Sequence, residues 1–81
     1  MLSTGDKLIV VQYAINKYNS EALLKEKLKD MLSPKELERT VDMLIGTQRV
    51  RRLGADMLQN NTSHTELPEM PDHLRAIVDA L

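Results

Sequence analysis

Apolar residues recur at helical spacing in four stretches of the chain, separated by polar segments. The first helix is predicted to begin near Asp6, with Ser3 or Thr4 as its N-cap, and Ser20 is well placed to cap the second. The positions predicted to face inward are Leu8, Val10, Val11, Ala14, Ile15 and Tyr18 in the first helix, and Leu24, Leu28, Met31 and Leu32 in the second. The one-sided pattern of the second helix indicates a surface helix on a small core.

The third helix has the clearest start signal in the chain. Ser33 is a good N-cap, Pro34 is suited to the first helical position, and Glu36 can bond back to the cap. Its apolar stripe consists of Leu37, Val41, Leu44 and Ile45. The short connection from the second helix predicts a steep helix-turn-helix crossing. We expect the third helix to end near Gly46, a residue suited to a left-handed terminus.

The stretch from residue 47 to residue 60 allows two interpretations. Residues 49–52 and 56–59 can pair as a hairpin around Leu53, Gly54 and Ala55. The same stretch fits a helical face formed by Val50, Leu53, Met57 and Leu58. We favour the hairpin, because Gly46 and Gly54 both disfavour a continuous helix.

The C-terminal part is predicted to be a polar linker over residues 60–70, followed by a helix over residues 71–81 that Pro71 opens. A helix of about ten residues needs a packing partner in water. Its apolar face consists of Leu74, Ile77, Val78 and Leu81. We expect this face to pack across a two-fold interface between subunits, because the first three helices supply a core for residues 1–59. Docking on its own domain is the alternative.

The segment from Ser33 to Arg52 resembles the recognition helix and first wing strand of winged helix-turn-helix DNA-binding domains. The resemblance is to the regulators related to multiple-antibiotic-resistance repressors, and it extends more loosely over residues 6–59. It implies a mainly α fold, a small winged helix-turn-helix with a three-helix core, a short β-hairpin wing and a C-terminal helix. An all-α bundle of four or five helices is the alternative fold.

The resemblance also implies a function, that of a small DNA-binding protein that regulates transcription, as a homodimer. Its third helix would enter the major groove of duplex DNA and its wing would lie along the backbone. The implied base-reading residues are Lys35, Arg39 and Thr40, and the implied phosphate anchors are Arg49, Arg51 and Arg52. In the alternative interpretation, Lys35 and Arg39 form ion pairs with Glu38 and Asp42 on a solvated helix face.

Composition supports a small aliphatic domain. The chain has 81 residues with 42% hydrophobic and only 2% aromatic content, so stacking on unpaired bases is disfavoured. It contains no cysteine, which excludes disulfides and zinc fingers. The net charge is -1, with a basic surplus through Arg52 and an acidic surplus after it. The net negative charge, the acidic residues of the third helix and the shortage of aromatic residues motivate the alternative function, a helical adaptor or inhibitor that binds another protein.

No motif for catalysis is found, so we expect a protein that is not an enzyme and needs no cofactor. His64 and His73 lie near Glu66, Glu69 and Asp72, but no ligand pair is fixed on one helix face, and we expect surface histidines without metal. The longest apolar run is too short for a membrane span or a signal peptide. We therefore expect a cytoplasmic protein that does not contact membranes.

Overall fold

Four α-helices and one antiparallel hairpin form the computed structural model, which describes residues 2–63 and 67–81. The elements are α1 (Thr4–Lys17), α2 (Glu21–Lys27), α3 (Pro34–Gly46), β1 (Val50–Arg52), β2 (Leu58–Asn60) and α4 (Asp72–Asp79). The first three helices, the hairpin wing and the C-terminal helix follow the predicted order. The small winged helix-turn-helix fold is confirmed, and the all-α bundle is wrong.

Serine caps begin the first three helices. Ser3 Oγ accepts from the Asp6 amide at 3.1 Å, and Asp6 Oδ2 accepts from the Ser3 amide at 3.3 Å. Ser33 and Glu36 make the same reciprocal pair at 3.1 and 3.2 Å. Ser20 Oγ accepts from the backbone amide at the third position of α2 at 3.3 Å. Each cap satisfies amides that the first helical turn leaves without a partner. Ser20 and Ser33 are the predicted caps, and Ser3 is one of the two candidates for α1, which begins two residues before the predicted Asp6.

The second helix is shorter than its apolar pattern predicts. α2 ends at Lys27, and the connection to α3 runs through six residues, Leu28 to Ser33. The Met31 amide donates to the Leu28 carbonyl at 2.9 Å, a tighter turn than that of an α-helix. Leu28 and Leu32 are nevertheless buried. The inward positions were therefore right although the helix length was wrong, because a compact turn also directs them into the core.

The wing is a hairpin in which Val50 pairs with Asn60, Arg51 with Gln59 and Arg52 with Leu58. Val50 and Leu58 are buried, so one face of the hairpin closes the core and the other faces solvent. The helical interpretation of this stretch is thus wrong. Asn60 belongs to β2 and is buried, so the irregular segment toward α4 begins one residue later than predicted.

The backbone segment that links α1 to α2 also pairs with the hairpin. Ser20 forms an antiparallel bridge with Met57, and the Leu58 amide donates to the Asn19 carbonyl at 2.8 Å. The Glu21 amide also donates to the Asp56 carbonyl at 2.8 Å. The chain from Asp56 to Leu58, at the tip end of the hairpin, is therefore hydrogen-bonded to the segment between α1 and α2, which the sequence pattern did not predict.

The core is aliphatic, as expected from the composition. Both tyrosines are only partly buried and pack against its edge. The buried apolar residues come from every helix and both strands: Val10, Val11, Ala14, Ile15, Leu24, Leu28, Leu32, Leu37, Val41, Leu44, Val50, Leu58, Leu74 and Val78. The contribution of α1 is central, because this helix contacts α2, α3, α4 and β2.

The C-terminal helix docks on its own domain, so the expectation that it packs across a two-fold interface is corrected. Leu74 and Val78 are buried against the core, and Ile77 and Leu81 are partly buried beside them. Lys17 Nζ donates to the Val78 carbonyl at 3.0 Å and to the Leu81 carbonyl at 3.3 Å. α1 is buried around more than half of its circumference. The helices α2 and α3 do not cover all of this surface, and α4 covers part of it.

α3 ends at Gly46, as predicted, but Gly46 is not the left-handed residue. The left-handed residue is Gln48, with φ 63°, and no glycine in the described residues has positive φ. The Gln48 amide donates to the Ile45 carbonyl at 3.0 Å, and the Arg49 amide donates to the Leu44 carbonyl at 2.9 Å. These two bonds form a Schellman motif, whose left-handed position favours glycine. Gly46 is an ordinary helical residue.

We predict that two substitutions at this end of α3, Gln48→Gly and Gly46→Ala, each stabilise the protein. Gln48→Gly removes the left-handed strain of a residue with a Cβ, worth about 1 kcal/mol. Gly46→Ala adds a Cβ that meets no atom within 4 Å, and it should add about 0.5–1 kcal/mol through helix propensity. Urea unfolding measures both. A lower midpoint for Gln48→Gly, or an unchanged one, would contradict the assigned helix end.

The docking of α4 predicts a large loss of stability for Leu74→Ala. Leu74 is fully buried, so the truncation should cost about 2–5 kcal/mol by lost burial and cavity formation. Arg75→Ala changes the neighbouring exposed residue and should stay within about 0.5 kcal/mol of wild type. Urea unfolding at low micromolar protein makes the comparison. Equal midpoints for the two variants would show that α4 is not part of the folded domain.

Candidate nucleic-acid interface

The solvent-facing side of α3 lies opposite its core stripe. Leu37, Val41 and Leu44 are buried, and the exposed positions between them include Lys35, Arg39, Asp42, Met43 and Gly46. Helical spacing places this exposed set on one side of α3. Of the predicted base-reading residues, Lys35 and Arg39 therefore lie on the accessible face.

Thr40 does not belong to this face, and its prediction as a base-reading residue is wrong. Its side chain is buried, and Thr40 Oγ1 donates to the Glu36 carbonyl at 2.8 Å. This hydroxyl is occupied within the helix, as is common for threonine in helix interiors. Two of the three predicted base-reading residues, Lys35 and Arg39, therefore remain on the exposed face of α3.

The two glutamates of α3 form ion pairs with lysines from other helices. Lys7 Nζ on α1 lies 2.6 Å from Glu36 Oε2, and Lys25 Nζ in α2 lies 2.9 Å from Glu38 Oε1. The hydrogen bond from Lys7, with the capping bond from Ser33, lowers the pKa of Glu36. The hydrogen bond from Lys25 lowers the pKa of Glu38. Both carboxylates are therefore ionised and compensated at neutral pH.

Lys35 and Arg39 form no ion pair with any carboxylate in residues 2–63 or 67–81. The ion pairs with Glu38 and Asp42 that the alternative interpretation expects are not found in these residues. Glu38 pairs with Lys25 instead. Lys7 and Lys25 compensate two of the three acids of α3 from other helices. The surface is thus less acidic than the sequence of α3 alone indicates.

The three wing arginines have different environments. Arg49 and Arg51 are exposed, and Arg51 Nη2 donates across the hairpin to Gln59 Oε1 at 2.9 Å. Arg52 Nη2 instead lies 2.8 Å from Glu21 Oε2 on α2, and its Nη1 donates to the Ala55 carbonyl at 3.4 Å. Arg52 therefore holds the wing to α2, and its prediction as a phosphate anchor is not supported by its contacts.

The tip of the wing carries no cation. Residues 53–57 are Leu, Gly, Ala, Asp and Met, and the only charged one, Asp56, folds back on the start of α2. Asp56 Oδ1 accepts from the Ala22 amide at 2.9 Å, and Oδ2 accepts from the Ser20 hydroxyl. Both bonds lower the pKa of Asp56, and the bond from Ser20 has the larger effect. A carboxylate at a helix N-terminus is favourable, so the tip is fixed in place and repels phosphate.

The structure shows no metal centre among the residues it describes. His73 Nε2 lies 3.1 Å from Asp6 Oδ1 and links the start of α4 to the start of α1. This hydrogen bond is the main reason why the pKa of Asp6 is lowered. His64 and Glu66 lie outside the described residues.

Sequence reasoning missed Lys7, Lys25 and Asp56 as determinants of this surface. Lys7 and Lys25 lie 29 and 13 residues from their glutamates, and Asp56 lies 36 residues from Ser20. Helical periodicity relates residues only three or four positions apart. The signal in the sequence was that α3 carries acidic and basic residues together. This mixture did not identify their partners on other elements.

Comparisons with known proteins give no relative from which a function transfers. No protein-family model, no curated protein and no solved structure matches the chain. The likeness to the multiple-antibiotic-resistance repressors therefore stays a prediction from the residues of α3 and β1. Within the described residues, no helix combines the length and apolar character needed to span a bilayer.

Proposed function

We propose that this protein binds duplex DNA through the exposed side of α3 and the solvent face of β1, as a small transcriptional regulator. The observation that carries the proposal is the compensation of Glu36 and Glu38 by lysines on α1 and α2. It leaves Lys35 and Arg39 exposed on a helix that the winged fold presents to solvent. A helix of this kind fits the major groove of B-DNA.

The contacts divide between two roles. Lys35 and Arg39 are the candidates for base edges, since lysine and arginine both pair with guanine in the major groove. Arg49 and Arg51 are the candidates for phosphate contacts, which position a protein without reading sequence. The wing tip has no part in the proposal, because it carries Asp56 and no cation. Recognition therefore depends on α3 and β1.

The number of cations limits the expected affinity. Four side chains make at most about four phosphate or base contacts in one copy, and each phosphate contact contributes a salt slope of about 0.9. We therefore expect one copy to bind weakly, with a salt slope of at most about 3.6. A second copy on the same duplex would double these contacts, as in dimeric regulators with two half-sites.

The proposal predicts a specific loss on removal of two arginines. Arg49→Ala combined with Arg51→Ala removes both candidate phosphate contacts, which should reduce the slope of log K against log salt by about two and weaken duplex binding. Arg75→Ala, which removes one exposed positive charge from α4, is the control and should leave the slope unchanged. Fluorescence anisotropy with a labelled duplex at several salt concentrations gives the slopes. Absence of salt-sensitive binding by wild type at low ionic strength would overturn the proposal.

The compensation of Glu36 predicts a rescue between two positions. Lys7→Gln leaves the Glu36 carboxylate unpaired near the phosphates, which should weaken binding by about 1 kcal/mol, or about fivefold. Adding Glu36→Gln should restore the wild-type affinity, and glutamine retains the helix cap. The same anisotropy titration measures both variants. Failure of the second substitution to restore binding would show that Lys7 acts by another route, such as direct phosphate contact.

A further inference from the structure

Met43 is a large apolar side chain on the exposed side of α3. It is 37% exposed and is not part of the aliphatic core. Four large apolar side chains are exposed in the described part of the chain, and the other three, Leu23, Leu53 and Met57, belong to α2 and the wing tip. A single exposed methionine is common on protein surfaces, so its role depends on what surrounds it.

Met43 lies between two of the arginines that are candidates for DNA contacts. It lines one small hollow together with Arg39, one turn earlier on α3, and a second hollow together with Arg49 and Leu8. On the same side of α3, Gly46 has no side chain, and a Cβ built there meets no atom within 4 Å. The surface around Met43 is therefore open. A duplex that contacts both arginines passes over this methionine.

The major groove of B-DNA offers one apolar group to such a side chain, the 5-methyl group of thymine. The other groups at the base edges are hydrogen-bond donors and acceptors, with which a thioether pairs only weakly. Methionine is unbranched and flexible, so it adapts to the position of a methyl group. We propose that Met43 contacts a thymine methyl group and is thereby a specificity-determining residue. This inference rests on the proposed binding of duplex DNA by α3.

The spacing along α3 places this thymine close to the base that Arg39 reads. Arg39 and Met43 are four residues apart, which is about 6 Å along the axis of an α-helix. Base pairs of B-DNA are stacked about 3.4 Å apart. A helix that lies along the groove therefore brings the two side chains to base pairs that are about one or two steps apart. The preferred site thus combines a guanine for Arg39 with a nearby thymine for Met43.

Replacing thymine by uracil tests the contact, because uracil pairs as thymine does and lacks only the 5-methyl group. A duplex is first selected with the wild-type protein from a pool with a randomised centre, and each of its thymines is then replaced in turn. We expect one replacement per bound copy to weaken wild-type binding about fourfold, the effect of losing one buried methyl-sized group. Met43→Ala should bind the thymine and uracil duplexes equally, and its salt slope should equal that of wild type, because the contact carries no charge.

Two further variants are controls. Met57→Ala truncates the exposed methionine of the wing tip, outside the proposed interface, and should retain the preference for thymine over uracil. Met43→Leu keeps an apolar side chain of similar volume and should retain most of that preference. Circular dichroism checks that all variants fold. If Met43→Ala weakens binding to both duplexes and still prefers thymine about fourfold, Met43 only supports α3 and the proposal is overturned.

A second measurement locates the thymine relative to Arg39. The guanines of the selected duplex are replaced in turn by 7-deazaguanine, which lacks the N7 acceptor that arginine uses. The guanine whose replacement weakens binding of wild type, but not of Arg39→Ala, is the one that Arg39 contacts. Wild-type binding that no uracil replacement weakens, or a sensitive thymine more than about three base pairs from this guanine, would overturn the role of Met43 while duplex binding stands. Absence of salt-sensitive duplex binding would instead overturn the proposed function, and this inference with it.

Discussion

The burial of α1 on more than one side is the constraint on which the rest of the fold depends. This helix of fourteen residues contacts α2, α3, α4 and β2, and it must do so without a single phenylalanine or tryptophan in the chain. Val10, Val11, Ala14 and Ile15 are buried almost completely. Aliphatic side chains of this size fill a core only when neighbours approach from several directions. The wing and α4 therefore complete the core that the first three helices begin.

A polar group is part of this central packing. Gln12 is buried on α1, and buried Asn60 donates to the Gln12 carbonyl at 2.7 Å and to Asn16 Oδ1 at 2.8 Å. These bonds attach the end of β2 to the middle of α1. Because a buried amide is costly without partners, the two bonds from Asn60 Nδ2 favour the observed register of the hairpin, although Asn60 Oδ1 and Gln12 Oε1 are buried without a hydrogen bond among the described residues. The wing is thereby fixed at its end by a side chain and at its tip by Asp56.

Local signals were enough to predict the helix starts, the aliphatic core and the choice of a hairpin over a helix. The serine caps, Ser3, Ser20 and Ser33, lie three residues from the amides that they cap. Both partners of each bond are therefore close together in the sequence. The docking of α4 depends on contacts with distant parts of the chain, and the left-handed position falls on Gln48 although glycine is favoured there. For the candidate site, the exposure of Lys35 and Arg39 followed from helical spacing. The burial of Thr40 and the pairing of Arg52 with Glu21 needed the tertiary structure.

The docking of the last helix onto the first has a consequence for the order in which the domain assembles. Lys17 and the Val78 carbonyl are 61 residues apart, and Tyr13 Oη donates to the Pro68 carbonyl at 2.6 Å across 55 residues. Contacts this distant close a large loop, whose entropic cost is offset only when the surfaces that meet are already formed. The bonds from Asn60 to α1 span 44 and 48 residues, so α4 closes the longer loops and we expect it to join last. During synthesis, the face of α1 under α4 stays uncovered until α4 emerges.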